Sequence, residues 1–219
     1  MLHLILAEAE LELIPPEIRE HPVIRAYARK RGKKPSECLL DSNLHHRAMD
    51  KLMDPERRGR PDIVHIALLH LLGSIANLEG ALRVYVHTRN GAMIPISPEA
   101  RLLRAYNRFV GLMEQLLEKG EAGGLLQLKE MSPRELAEQL HPDRTILLDE
   151  GGKPLGHEEL RKRLEGEVCA VVGAFPYGPF REDYSFVDEK INIYPRPLEA
   201  WAVASKMVCL YEVSLVKER

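Results

Sequence analysis

The chain is poor in cysteine and has no long apolar run. Its three cysteines, Cys38, Cys169 and Cys209, lie in or beside apolar stretches without the paired spacing of a metal site, so we expect buried, reduced thiols. The first apolar run, residues 2–7, is short and is followed at once by glutamates, unlike a signal peptide. No run approaches the roughly 18 apolar residues of a membrane helix. These absences predict a cytoplasmic protein that does not contact a membrane.

Charge is low overall but unevenly distributed. The net charge of −2 argues against a general polyanion binder. Residues 1–110 nevertheless hold 17 Lys+Arg against 13 Asp+Glu, whereas residues 111–219 hold 14 against 20. Residues 25–60 alone carry 11 basic and 5 acidic residues. The first half therefore either faces nucleic acid or has an unevenly charged, solvated surface, and charge alone leaves both interpretations open.

Residue patterns predict the elements of the first half. Asn90-Gly91 between β-type runs is a strong hairpin signal. Ser97 and Pro98 suit the cap and first position of a helix. The predicted elements are a strand over 2–14, a helix over 17–31, a turn at 41–43, a helix over 45–52, a strand over 63–72, a hairpin of 82–88 with 92–96, and a helix over 99–119.

Strands and helices alternate in the second half, which predicts parallel βα units and an α/β fold. We treat all 219 residues as one domain, with a basic half (about 1–110) and an acidic half (about 111–219). The predicted elements are strands over 125–129, 145–148, 168–172 and 190–194, a turn at 149–152, and helices over 133–140, opened by a Ser132–Glu135 capping box, 157–164 and 198–216.

Two of these strand ends open onto loops rich in Gly and Pro, a layout typical of a ligand crevice at the carboxyl edge of a sheet. The first loop, residues 173–178, is neither a G-x-G-x-x-G nor a Walker loop, so phosphate cradling is not indicated. Its glycines allow close backbone approach to a flat ligand, although such a loop is often only a turn. The second loop contains Pro195-Arg196-Pro197.

Asp62, which directly follows Arg60-Pro61, is the catalytic candidate that the residues themselves indicate. A carboxylate beside a guanidinium suits a base positioned against a substrate N–H, but it suits a structural pair that ties down a loop equally well. Arg101, Arg104 and Arg108 are spaced to form one cationic ridge on the predicted helix. The histidines lack ligand spacing and no nucleophile elbow occurs, so we expect neither a metal nor a Ser or Cys nucleophile.

Six further motifs stand in order along the chain: LLDSNLHH (39–46), RRGRPDIVH (57–65), LRVYVHTRNG (82–91), ARLLRAYNRF (100–109), VVGAFPYG (171–178) and INIYPRPLEAWAVASK (191–206). Together they resemble the pseudouridine N1-specific ribosomal RNA methyltransferases, ribosome-biogenesis proteins of the SPOUT (α/β-knot) class. The resemblance covers almost the whole chain in the family's order.

This resemblance implies an α/β fold with a mostly parallel sheet, helices on both faces, a C-terminal trefoil knot, and an inserted hairpin and basic loops in the first half. S-adenosylmethionine would lie in the knot, and a homodimer would pack through the same region. The bulky Tyr177 and Arg196 depart from the family's pattern and put tight cofactor binding in doubt. The implied cofactor residues are Leu148, Val172, Gly173, Gly178, Ile193, Tyr194, Pro195, Leu198 and Ala200.

The implied activity is methyl transfer to N1 of a pseudouridine in a hairpin loop of small-subunit rRNA. Arg60, Arg101, Arg104 and Arg108 would face the RNA, Arg60 would stabilise negative charge, and Asp62 would accept a proton, orient the base or organise the loop. Ribosomal proteins or assembly factors are compatible further partners. The alternative is an RNA-binding assembly factor, or chaperone, with little or no methyl transfer.

Overall fold

A computed structural model describes residues 1–100, 102–124 and 126–217. The helices are α1 (Pro22–Lys30), α2 (Ser42–Met49), α3 (Pro61–Leu72), α4 (Ile75–Leu78), α5 (Tyr106–Lys119), α6 (Pro133–Leu140), α7 (His157–Arg163) and α8 (Ala200–Lys217). The strands are β1 (Leu2–Ala9), β2 (Leu82–Thr88), β3 (Ala92–Ile96), β4 (Glu121–Ala122), β5 (Leu126–Gln127), β6 (Lys129–Glu130), β7 (Arg144–Pro154), β8 (Val168–Gly173) and β9 (Glu189–Asn192).

Seven strands within the described residues form one mixed, mostly parallel sheet in the order β6-β3-β2-β1-β8-β7-β9. The central strand β1 pairs in parallel with β2 and β8, and β7 pairs in parallel with β8 and β9. The hairpin strand β3 runs antiparallel to β2 and β6. The carboxyl ends of β7, β8 and β9 therefore lie side by side at one edge.

Both faces of the sheet are covered, as predicted. Leu4 and Leu6 of β1 are buried in the larger core, which includes apolar residues of α3, α5, α7 and α8. Ile5 and Ala7 point to the opposite face, where they join Leu136 of α6 in a second core. Because successive strand residues alternate between faces, β1 contributes to both cores and is buried along its whole length.

A small lobe formed by α1 and α2 has its own apolar cluster and is tied to α5 by Glu114. This carboxylate is fully buried and accepts hydrogen bonds from Arg31, Lys33 and the Leu39 amide. Burial by itself raises the pKa of Glu114, but the three donors outweigh it and hold the pKa below its ordinary value. Glu114 is thus a buried anion that joins the lobe to the main sheet domain.

The strand predicted over residues 63–72 is wrong, because these residues belong to α3. Pro61 occupies the first turn and Asp62 adds the negative charge that a helix N-terminus favours. Most of the helix is buried, so its apolar residues lie on all sides and give no helical period.

The helix predicted from residue 99 is wrong in its start, since α5 begins only at Tyr106. The carbonyl oxygens before it are used by other elements. Asn77 Nδ2 donates to Pro98 O at 3.1 Å, and the His65 Nε2 to Leu103 O distance is 2.9 Å. These tertiary contacts compete with the helix that the local Ser-Pro-Glu signal predicts.

Several predicted boundaries need smaller corrections. The first strand ends at Ala9, the helix predicted over 17–31 begins at Pro22, and β7 continues through the predicted turn at 149–152. The strand predicted over 190–194 ends at Asn192, and that predicted over 125–129 divides into β5 and β6, with residue 125 outside the described part. The hairpin and the Ser132 capping box are confirmed.

Two of the three predicted buried thiols are confirmed, since Cys38 and Cys169 are buried. Cys209 is exposed, because it lies on the outer side of α8, and its prediction is wrong. In the described part of the chain, no helix is both long and apolar enough to cross a membrane.

Candidate functional site

A pocket of about 470 Å³ lies where β7, β8 and β9 end and α8 begins. Its volume is in the range of small-molecule sites. The crevice predicted from the two strand ends is therefore present as a cavity. Its lining residues are Leu148, Asp149, Glu150, Val172, Gly173, Phe175, Pro176, Tyr177, Gly178, Pro179, Phe180, Ile191, Asn192, Ile193, Tyr194, Arg196, Pro197, Leu198, Ala200 and Val203.

The structure brings together all but one of the residues proposed for the cofactor. Pro195 is the exception and does not line the pocket. Three lining side chains at the mouth, Tyr177, Tyr194 and Leu198, are 50%, 49% and 40% exposed. They offer apolar and aromatic surface to a flat ligand. The members that line the pocket are Leu148, Val172, Gly173, Gly178, Ile193, Tyr194, Leu198 and Ala200.

The polar side of this pocket is formed by residues that were not predicted from the sequence. Asp149 and Glu150 line it directly after the buried part of β7. Asn192 joins two of its loops, since its Nδ2 donates to Glu150 O at 2.8 Å and its Oδ1 accepts from the Tyr194 amide at 2.9 Å. Two acidic residues directly after an apolar strand are the signal that could have identified them. Such carboxylates can accept hydrogen bonds from ligand hydroxyls or face a cationic ligand.

Glycine at the end of β8 leaves room for an aromatic ring. A Cβ atom at Gly173 would lie 2.7 Å from a ring atom of Phe175, which itself lines the pocket. Gly178, at the other end of the turn, has φ of +90°, in the region that side chains disfavour. The glycines thus let the chain turn tightly beside the cavity. We name residues 173–182 the cofactor turn.

Buried ion pairs join β1 and the residues after it to the arginine segment, residues 54–60. Arg57, 3% exposed, donates through Nε to Glu10 Oε1 at 3.0 Å and through Nη2 to Glu8 Oε2 at 2.5 Å. Arg58 donates through Nε to Glu12 Oε1 at 2.7 Å and through Nη2 to Glu12 Oε2 at 2.6 Å. Two of the three arginines in this segment therefore hold the fold together and are not free to bind a polyanion.

Arg60 and Asp62 lie together at the start of α3. The Arg60 guanidinium donates to both Asp62 oxygens, at 2.9 and 2.8 Å. These bonds raise the pKa of Arg60, and the nearby carboxylates of Glu199 and Asp41 raise it further. Glu199 directly precedes the pocket residue Ala200, so the pair is within electrostatic range of the pocket's rim. The geometry is that of the structural pair considered above, with both oxygens of Asp62 engaged.

The predicted cationic ridge is only partly present. Arg104 lies before α5 and Arg108 lies within its first turn, and both are exposed. Arg101 falls outside the described residues. Tyr106 connects this region to the turn before α2, because its hydroxyl donates to Asp41 Oδ2 at 2.6 Å. Burial, followed by the Asp41 carboxylate, raises the pKa of Tyr106, so the phenol stays protonated.

Two of the histidines, His45 and His87, are buried and have lowered pKa values. The Asp41 amide donates to His45 Nδ1 at 3.0 Å, and burial lowers the His45 pKa to about 4. Burial also lowers the pKa of His87 to about 4. Over the ranges 1–100, 102–124 and 126–217, no cluster of His, Cys, Asp or Glu is suited to hold a metal ion.

The fold and pocket define an α/β protein whose ligand site is built from loops at the carboxyl edge of a parallel sheet. Comparison with known proteins identifies the family within this class. Residues 4–212 match the family described as EMG1/NEP1 methyltransferase, and the chain belongs to that family.

Full-length relatives have similar sequences and structures. The chain is 50% identical over 217 residues to the ribosomal RNA small subunit methyltransferase Nep1 of Thermococcus onnurineus, with 97% of this chain and 98% of the relative covered. It is 49% identical to that of Thermococcus kodakarensis, with 98% and 99% covered. The crystal structure of Archaeoglobus fulgidus Nep1 bound to S-adenosylhomocysteine has a TM-score of 0.88, 39% identity, and coverage of 97% and 98%.

Proposed function

We propose that this protein is a small-subunit rRNA methyltransferase that transfers a methyl group from S-adenosylmethionine to N1 of a pseudouridine in a hairpin loop. The observation that carries this proposal is the pocket at the ends of β7, β8 and β9. The pocket combines apolar walls, glycines where the backbone borders the cavity, and two carboxylates. The similar Archaeoglobus fulgidus structure contains S-adenosylhomocysteine, the product that remains when this cofactor has donated its methyl group.

The pocket residues fit this cofactor in kind. Leu148, Val172 and Leu198 provide apolar surface for an adenine ring, and Asp149 and Glu150 provide acceptors for ribose hydroxyls or the amino group. Pro195 lies in the loop after β9 and does not line the cavity. Tyr177 and Arg196, which depart from the family's pattern, also line it. Both side chains are exposed, and the Tyr177 hydroxyl donates to Glu56 Oε2 at 3.1 Å.

The cofactor supplies an activated methyl group on a sulfonium. Methylation of pseudouridine at N1 requires loss of the N1 proton to water and stabilisation of the negative charge that develops on the ring. Arg60 is suited to the second task, because Asp62 fixes the plane of its guanidinium through two hydrogen bonds. We assign Asp62 the orientation of Arg60, since an acceptor with both oxygens engaged is poorly placed to take a proton.

Replacing Asp62 by asparagine tests this assignment. Arg60 would lose the carboxylate that accepts both of its hydrogen bonds, so turnover should fall at least about tenfold, which corresponds to an activation barrier about 1.4 kcal/mol higher. The affinity for S-adenosylhomocysteine should not change. The matched control is Asp50→Asn, at an exposed position after α2. Turnover equal to the control would remove Asp62 from the chemistry.

Arg60, Arg104 and Arg108 are the proposed RNA contacts that the structure describes, and Arg101 is proposed from its motif alone. Arg104 and Arg108 have exposed side chains. Guanidinium groups can fork onto phosphates and stack on unpaired bases, which suits a single-stranded loop. Exposure near the start of α5 supports these contacts.

We further infer a single SPOUT-type domain over residues 1–219 with a trefoil knot around the pocket. The strand order supports a knot, because the chain leaves β8 and returns to pair with the far side of β7 as β9.

A homodimer through the knot region is supported by exposed apolar side chains on two helices, α4 and α8, that pack against each other. Ile75 and Leu78 of α4 are 49% and 77% exposed, and Val213 of α8 is 42% exposed. Cytoplasmic ribosome assembly, with ribosomal proteins or assembly factors as partners, is consistent with this function.

The test of the activity uses two matched hairpins, one with uridine and one with pseudouridine, and cofactor with a labelled methyl group. Label should enter only the pseudouridine hairpin. Transfer to both hairpins would overturn the specificity for pseudouridine. Tight binding of RNA without transfer to either would overturn the enzymatic proposal and favour the assembly factor that acts by binding alone.

A further inference from the structure

The arginine segment, residues 54–60, makes three polar contacts with the cofactor turn, residues 173–182. At the surface, Arg181 Nη1 lies 2.7 Å from Asp54 Oδ2, and the Tyr177 hydroxyl donates to Glu56 Oε2 at 3.1 Å. Between these contacts, Arg57 Nη1 donates to the carbonyl oxygen of Pro179 at 2.8 Å. The pocket loop thus packs against the same segment that carries Arg60 three residues later.

Arg57 is the buried centre of this contact. Its three guanidinium nitrogens each have a different acceptor, namely Glu10, Glu8 and the Pro179 carbonyl. The face of the guanidinium lies over the ring of Phe175, with its Cζ 3.7 Å from the ring centroid. A guanidinium in this position attracts the ring electrostatically, and burial strengthens the attraction. Arg57 therefore fixes the positions of both Phe175 and Pro179.

Both of these residues line the pocket, whereas Arg57 does not. The Phe175 ring also meets Phe180 edge to face, with centroids 5.1 Å apart, and lies against Gly173. Displacement of Phe175 would therefore move the wall on which the ligand rests. Arg57 acts on the pocket through this ring and through the Pro179 carbonyl.

Glu8 holds the same loop from the side of the sheet. Its carboxylate accepts hydrogen bonds from the Arg181 amide at 2.9 and 3.1 Å and from the Glu182 amide at 3.0 Å. Glu8 itself has φ of +51°, an unfavourable value for a residue with a side chain. The surrounding bonds keep it in this conformation. The Glu8–Arg57 pair thus fastens the chain at Phe175, Pro179, Arg181 and Glu182.

We propose that Arg57 is a positioning residue for cofactor binding, which sets the shape of the pocket by locking the cofactor turn against the arginine segment and Glu8. The proposal rests on the proposed function, because the ligand it concerns is S-adenosylmethionine. It gives the first arginine of the RRGRP sequence a role in cofactor affinity and leaves Arg60 as the RNA-facing member.

The test compares Arg57→Lys with Arg58→Lys. Both changes keep a positive charge in the same segment and replace a fork on buried carboxylates with a single ammonium. Of these two arginines, Arg57 contacts the cofactor turn and Arg58 pairs with Glu12 instead, so Arg58 is a matched control for general destabilisation. The probe is S-adenosylhomocysteine, titrated calorimetrically into the full-length protein.

Arg57→Lys should raise the dissociation constant about tenfold or more, and Arg58→Lys should leave it within about twofold, although both variants lose similar stability. Amide hydrogen exchange provides a readout independent of the ligand: residues 174–182 should exchange at least about tenfold faster in Arg57→Lys and at the wild-type rate in Arg58→Lys. Equal affinity and equal exchange in the two variants would overturn the proposal.

If Arg57→Lys does not fold, the double variant Arg57→Gln with Glu8→Gln removes both charges of the pair without leaving either one buried alone. It should show the same fast exchange over residues 174–182, and wild-type exchange there would overturn the proposal. A wild-type protein that does not bind S-adenosylhomocysteine would contradict the proposed function, while the exchange measurement would still decide the role of Arg57.

Discussion

Replacing Gly152 by alanine should destabilise the protein and weaken cofactor binding together. Gly152 lies in β7 beside the point where its register with β9 shifts. An added Cβ would lie 2.6 Å from both the backbone nitrogen and the carbonyl carbon of Ile191, and 2.7 Å from the carbonyl carbon of Lys190. Backbone atoms cannot rotate away, so β9 must shift as a unit.

Overpacking of this kind costs about 1–3 kcal/mol. For a chain of this length each kcal/mol lowers the melting temperature by about 2–4 °C, so we expect a decrease of about 2–12 °C. Because Ile191 and the residues after it line the pocket, the dissociation constant of S-adenosylhomocysteine should rise as well. Thermal unfolding and calorimetric titration measure the two effects.

Gly111→Ala is the matched control. Gly111 lies within α5 and a Cβ there would have no neighbour within 4 Å. Since alanine is a better helix former than glycine by up to about 1 kcal/mol, this variant should be slightly more stable and bind the cofactor normally. If Gly152→Ala matched Gly111→Ala in stability and affinity, the inferred contact between β7 and β9 would be refuted.

Two further predictions concern buried ionisable groups. Glu114→Gln should cost about 1–3 kcal/mol at neutral pH, because Arg31 and Lys33, which are partly exposed, would lose the charged acceptor of their hydrogen bonds. This loss of unfolding free energy, measured by urea unfolding, should shrink as pH falls through the lowered pKa of Glu114. A loss independent of pH would contradict the prediction. Separately, unfolding free energy should fall as pH decreases from 6.5 to about 4, because His45 and His87, each with a pKa of about 4, stay neutral when folded but bind protons when unfolded. A His87→Gln variant should show a shallower decline, and an unchanged slope would argue against the His87 contribution.

Local signals explain which elements the sequence predicted correctly. The Asn90-Gly91 hairpin and the Ser132 capping box depend on residues only a few positions apart, so their patterns are complete within one stretch. The helix α3 was missed because it is buried on nearly all sides and therefore shows no period. The late start of α5 depends on Asn77 and His65, which are distant in sequence.

The candidate site also has one part that was predicted from the sequence and one part that was not. Strand ends followed by glycine and proline predicted the pocket, because the carboxyl ends of parallel strands meet at one edge. The ion pairs of Glu8 and Glu10 with Arg57 were not predictable, since nothing in an arginine-rich loop indicates which guanidinium groups face carboxylates elsewhere. The basic composition of residues 25–60 consequently overstated the charge available to RNA.

The position of the added methyl group tests the central claim most directly. The wild-type protein would be incubated with S-adenosylmethionine and the pseudouridine hairpin, and the product digested to nucleosides for mass spectrometry. The proposed function, which rests on the family the chain belongs to, predicts N1-methylpseudouridine as the one methylated nucleoside. A methyl group on another ring nitrogen, on a ribose hydroxyl or on a different nucleotide would contradict the account.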